Sequence, residues 1–121
     1  MSIIEKIKTF EDAMAATGRT EMPDFSTFPA ELRKHFEVLF KMVVIVEALN
    51  EGWKPNWNDG NERKFYPWFW MSPGSFAFCD SCYDNVCASA GSGSRLKLKS
   101  RELAEYCATQ FTDIWKDIQL G

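Results

Sequence analysis

Apolar residues recur at helical spacing in three stretches of the chain, and a different rhythm lies between the last two. Ile3, Ile7, Phe10 and Met14 mark the first stretch and predict one helix, or two short ones kinked at Thr9, over residues 3–16. Ser2-x-x-Glu5 and Thr9-x-x-Asp12 both have the form of a helix start, in which a side-chain oxygen accepts from orphan N–H groups. Gly18 lies where a helix-ending glycine belongs. After a polar loop over 19–28, Leu32, Phe36, Leu39, Val43, Val46 and Leu49 form the stripe of a long helix over 29–50, with Ser26 or Thr27 as its cap and Pro29 in its first turn. Phe40, Val44, Ile45 and Ala48 widen that stripe, so its C-terminal half should be buried nearly all round. Gly52 is placed to end it in the left-handed region. Leu103, Cys107, Phe111, Ile114 and Ile118, behind the cap residue Ser100, predict the last helix over 101–119.

The intervening segment changes period. Asn58-Asp59-Gly60-Asn61 is a turn signal. Lys64–Met71 and Phe76–Ser81 read as strands joined by Ser72-Pro73-Gly74-Ser75. Pro67 has no N–H to donate and marks an edge or a bulge. Tyr83–Ser94 is rich in Asp, Asn, Ser and Gly and reads as a loop. Arg95-Leu96-Lys97-Leu98-Lys99 alternates strictly and reads as a half-exposed strand. The order predicts one α+β domain over 1–121. In it a small antiparallel sheet of about three strands, the hairpin 64–81 plus strand 95–99, packs against helices 3–16, 29–50 and 101–119.

Composition adds a location. The chain has 121 residues, 45% of them hydrophobic and 26% charged, enough for one core and too apolar for disorder. Its 10 Phe, 5 Trp and 3 Tyr are unevenly spread, with ten of these aromatics between Trp53 and Tyr83. In the first strand Phe65, Pro67, Phe69 and Met71 share one face, while Tyr66, Trp68 and Trp70 share the other. Helices can cover one face only. A loop, a second subunit or a ligand must cover the other, because two bare Trp rings make an unusually large apolar patch.

Net charge is −3, so no general basic field points to nucleic acid. Locally, Arg95, Lys97 and Lys99 would share one strand face, with Arg101 following. Cations two residues apart stand about 6.5 Å from one another, near the spacing of phosphates on an extended strand. Beside Tyr66, Trp68 and Trp70 they would make a stacking platform with a backbone clamp. The plainer reading is a solvated face that guards a sheet edge.

Several motifs together resemble a group of small uncharacterised proteins of gut Bacteroidetes, their phages and mobile elements. They are Thr9-Phe10-Glu11-Asp12-Ala13, Ala48-Leu49-Asn50-Glu51-Gly52-Trp53-Lys54-Pro55-Asn56-Trp57, Lys64-Phe65-Tyr66-Pro67-Trp68-Phe69, Gly93-Ser94-Arg95-Leu96, and Lys99-Ser100-Arg101-Glu102-Leu103-Ala104-Glu105-Tyr106 with Gln110-Phe111. The resemblance spans roughly residues 3–119. It implies a bacterial or phage setting and brings no activity or catalytic residue with it.

Other chemistry is thinly represented. Cys79-x-x-Cys82-x4-Cys87 is half of a metal site, and a fourth ligand would have to be His35 or Cys107. Cys79 and Cys82 would also face opposite sides of an ideal strand. Cys107 belongs to a buried stripe and reads as a small core residue. A Cys–His nucleophile would need His35, the one histidine, to meet a distant thiol. Gly91-Ser92-Gly93-Ser94 lacks the Lys-Ser/Thr and the helix of a phosphate loop. Asp80 and Asp84 lack calcium-loop spacing. No catalytic, cofactor or metal residue is assigned. The N-terminal segment Met1-Ser2-Ile3-Ile4-Glu5-Lys6 is not a secretory signal, and the run Val38–Leu49 is too short to span a bilayer, so a cytoplasmic chain with reduced thiols is expected. The expected role is a non-enzymatic interaction module working through Tyr66, Trp68 and Trp70 by protein contact or self-association. The alternative is nucleotide or single-strand binding that adds Arg95, Lys97, Lys99 and Arg101, with sequestration of a host signalling molecule as one use.

Overall fold

A capping box decides the shape of the N-terminal segment. Thr9 Oγ1 accepts from the Asp12 N–H at 3.1 Å, and Asp12 Oδ2 accepts in return from the N–H groups of Thr9 at 3.1 Å and Lys8 at 3.0 Å. These bonds, the one from Lys8 foremost, hold the Asp12 carboxyl below its ordinary pKa. The box starts a new helix rather than kinking an old one. In the computed structural model, which describes residues 2–91 and 93–121, α1 spans Ile3–Lys6 and α2 spans Phe10–Ala16. Met1 and Ser92, the latter in the expected 83–94 loop, lie outside the described residues.

The long helix α3, Ala30–Asn50, forms where expected, but its stripe is displaced: Val38 and Met42 are buried, Leu39 and Val43 are half-buried, and Leu32 and Phe36 are exposed. Val44, Ile45, Val46, Ala48 and Leu49 are all buried, as the widened pattern of the C-terminal half requires. Its start differs from expectation. Neither Ser26 nor Thr27 caps it; Pro29 occupies the cap position with no side-chain bond. Arg33 secures the preceding turn instead, donating to the carbonyls of Phe25, Ser26 and Phe28 at 2.9–3.1 Å. At the other end Glu51 (φ 49°) and Gly52 (φ 89°) are both left-handed and reverse the chain.

β1, Lys64–Trp70, pairs antiparallel with β2, Ala77–Asp84, across a short helical turn at Pro73–Ser75. β2 thus runs three residues past the expected end of its strand. The third strand does not form. Gly93 (φ 55°) leads into a helical turn at Ser94–Leu96, and only Leu98 reaches the sheet, exchanging both backbone bonds with Phe65 at 2.8 and 2.9 Å. Leu96, Lys97 and Leu98 are consecutively buried, which no alternating strand allows.

The expected last helix is two, α4 over Arg101–Gln110 and α5 over Thr112–Leu120. Thr109 and Thr112 bond back to carbonyls in the preceding turn, at 2.9 Å to Glu105 and 2.8 Å to Ala108, a habit that bends helices. Phe111 sits at the break and is buried. The sheet's inner face and these helices enclose one core, with Leu49, Leu98, Ala104, Cys107 and Trp115 among its members. The chain is therefore α+β, with two strands among the described residues. No helix among the described residues is long and apolar enough to cross a membrane.

Candidate functional site: the outer face of the hairpin

A bulge sets which residues of the hairpin face inward. Pro67 stands opposite Ser81 and Trp68 opposite Asp80, but Phe69 stands opposite Phe78, so Cys79 is the extra residue. The shift puts Phe78 on the core side with Phe69. Phe69 in turn stacks on Phe76 at 4.8 Å and meets Trp115 at 5.4 Å between ring centres. With Phe69 and Pro67 buried, alternation turns Tyr66, Trp68 and Trp70 to the outer face, as expected from the sequence. Met71, expected on the inner face, lies just beyond the strand and is exposed.

The chain covers only one end of that outer face. At the Lys64 end the Nζ of Lys64 is enclosed, donating to the carbonyls of Asp59, Glu62 and Asn85 at 3.2, 3.0 and 2.6 Å, with the Trp57 ring 5.0 Å away. Next along, Lys97 lies over the Tyr66 ring at 3.9 Å, and its Nζ is 2.8 Å from Asp84 Oδ2. That carboxylate oxygen is held by the ion pair rather than by a well-directed hydrogen bond. Burial pushes the Tyr66 phenol above its ordinary pKa. Beyond Tyr66 the cover stops. Trp68 is 56% exposed and Trp70 62%, beside exposed Met71.

The basic stripe is dispersed, because the segment carrying it is a turn and not a strand. Lys97 is fully buried on Tyr66. Lys99 is exposed and 3.5 Å from Glu51 Oε1. Arg101 donates to Ser81 Oγ at 2.9 Å and stacks over Phe65 at 5.6 Å. Arg95 is directed to the rim of a separate cavity. Among the described residues, Arg95, Lys97, Lys99 and Arg101 thus form no row beside the tryptophans.

Each edge of the hairpin carries an obstacle to a further strand. Phe65 points its backbone at Leu98, so Pro67, two residues on, points the same way and offers no N–H there. On β2 the outward Ser81 N–H is taken by Asp80 Oδ1 at 2.8 Å, and Arg101 reaches the Ser81 carbonyl at 3.4 Å.

The cysteines behave separately. Cys79 and Cys82 lie within β2 with no turn to bring them together, and Cys79, Cys82 and Cys87 are exposed. Cys107 is buried in the core, and burial pushes its thiol pKa up to about 12. No group of three or more His, Cys, Asp or Glu side chains with metal-site geometry occurs among the described residues. His35 is half-buried, its ring edge-on to Phe36 at 5.4 Å. Sequence reasoning met Asp84 only as a rejected calcium ligand and Asp59 only in a turn, and it missed Glu62; the pairing of Asp84 with Lys97 and the enclosure of Lys64 by the Asp59 and Glu62 carbonyls had no local signal. No family model matches the chain, and no curated protein or solved structure matches it either.

Proposed function

We propose that the protein is a non-enzymatic interaction module that docks another protein surface, a second copy of the chain first among them, through the bare end of its hairpin. The observation that carries this reading is the pair Trp68 and Trp70, more than half exposed on a face whose other end the chain covers. At ordinary ring areas the two present on the order of 300 Å². That is too little for a whole interface, which needs about 800 Å² per partner, but it is the size of an aromatic anchor at the centre of one. The obstacles at Pro67 and Ser81 favour docking by side chains over strand addition. A small net charge of −3 sets only weak repulsion between copies.

The nucleotide or single-strand reading has less support, since Lys97, Lys99 and Arg101 are each engaged within the chain. Catalysis has less still. His35 packs on Phe36, and the raised pKa of Cys107 deprives it of thiolate at neutral pH. A cytoplasmic, bacterial or phage setting fits the exposed thiols and the motif resemblance.

Sedimentation at low and high salt tests the proposal. A concentration-dependent dimer that persists in high salt and is lost in Trp68→Ala/Trp70→Ala is expected. A monomer at every concentration, binding an oligonucleotide in a salt-sensitive way, would favour the rival reading.

A further inference from the structure

We infer that the cavity between the C-terminal half of α3 and residues 52–55 binds a small anion that carries an apolar body. The cavity has a volume of about 560 Å³, within the range of small-molecule sites. Its apolar floor is Val43 and Val46, and Trp53 and Pro55 form a wall. Around this floor stand three cations, Arg19, Lys54 and Arg95, against one carboxylate, Glu47. Arg19 satisfies Glu47 at 2.7 Å. Among the described residues, no carboxylate lies within ion-pair distance of Lys54 or Arg95. A chain with net charge −3 has therefore gathered a local excess of positive charge at an apolar hollow.

The hollow is preformed. Glu51 and Gly52, both left-handed, turn the chain back over α3. Glu62 then fixes the returning segment, accepting from Trp53 Nε1 at 3.2 Å and from the Asn56 N–H at 2.6 Å. Gly93 and the turn behind it bring Arg95 to the same rim. The negative end of α3 is muted, because the Ala48 and Asn50 carbonyls accept from the N–H groups of Glu51 and Trp53. The Asn50 amide is also spent, on Lys97 O at 2.8 Å and on the Lys99 N–H at 3.0 Å. Lys54 and Arg95 are left as the groups that meet the ligand's charge, while its body lies on valine and indole. None of these residues belongs to the Trp68–Trp70 face.

The probe is anilinonaphthalene sulfonate, with its uncharged relative phenylnaphthylamine as control, titrated into the whole protein while the Trp53 indole N–H is followed by NMR. Expected are saturable binding at one site, a shift of the Trp53 resonance, and weakening by salt. Lys54→Ala/Arg95→Ala should weaken the dye at least about tenfold, the loss of roughly one charge-assisted contact. Trp68→Ala/Trp70→Ala should leave it unchanged. Equal affinity for the uncharged relative, no effect of Lys54→Ala/Arg95→Ala, or loss of binding in Trp68→Ala/Trp70→Ala would overturn the assignment. Displacement by adenosine monophosphate identifies a phosphate ester as the ligand class, and displacement by decanoate a carboxylate; failure of both would also overturn it.

Discussion

β1 begins on a lysine that water does not reach and ends on a tryptophan that stands in it. Lys64 is 0% exposed and Trp70 62%, although both point to the same side of the sheet. Side-chain hydrophobicity alone would reverse that order. The difference lies in what the neighbouring chain supplies. The turn over Asp59–Glu62 and the end of β2 bring three carbonyls to the Lys64 ammonium, one for each of its protons. Asp84 and Tyr66 do the equivalent for Lys97. Among the described residues nothing comparable arrives over Trp68 and Trp70. Burial here follows the supply of partners, and a charged residue with partners is covered before an apolar one without them.

Changes at Asp84, Lys64, Tyr66 and the Trp68/Trp70 pair would break or sharpen that contrast. The largest effect is expected from Asp84→Ala, which strips a buried ammonium of its counter-charge and should cost about 3–5 kcal/mol in urea unfolding at unchanged m-value. A cost under about 1 kcal/mol would show that water reaches Lys97 after all. Lys64→Met keeps the aliphatic stem and leaves three carbonyls without their donor, for a loss of roughly 2–3 kcal/mol; a neutral outcome would mean that the turn relaxes to hydrate them. Tyr66→Leu removes the ring under Lys97 and should cost about 1 kcal/mol, with Tyr66→Phe retaining most of it. Least of all, Trp68→Ala/Trp70→Ala should shift monomer stability by no more than about 0.5 kcal/mol per residue, measured where the protein is dilute. A drop of several degrees in the melting temperature of the dilute protein would place these rings in the core and end the contrast.

What could be read from sequence divides along the same line. The near-complete burial of the C-terminal half of α3 was readable because apolar residues crowd it, although its stripe runs through Val38 and Met42 rather than Leu39 and Val43. The outer placement of Trp68 and Trp70 followed from the same arithmetic at period two. The segment 95–99 was misread because Arg95-Leu96-Lys97-Leu98-Lys99 alternates like a strand, and alternation does not register a buried lysine whose partners, Tyr66 and Asp84, lie elsewhere in the chain. The turn at Ser94–Leu96 had one local cue, Gly93. The break at Phe111 also had a cue, Thr109 with Thr112, which a hydrophobic stripe running through both helices conceals. The cavity at Lys54 and Arg95 was beyond sequence reasoning, since the two residues meet only through the reversal at Glu51 and Gly52.

Asn50 gives this architecture a schedule. Its amide is satisfied by backbone 47 and 49 residues downstream, so the end of α3 stays unfinished until residue 99 has been synthesised and brought back. The longest helix is thus tied at its C-terminal end to a segment far along the chain. One buried asparagine thus couples the cavity rim, the 97–99 segment and the end of α3, so that loosening any one of them exposes the same amide.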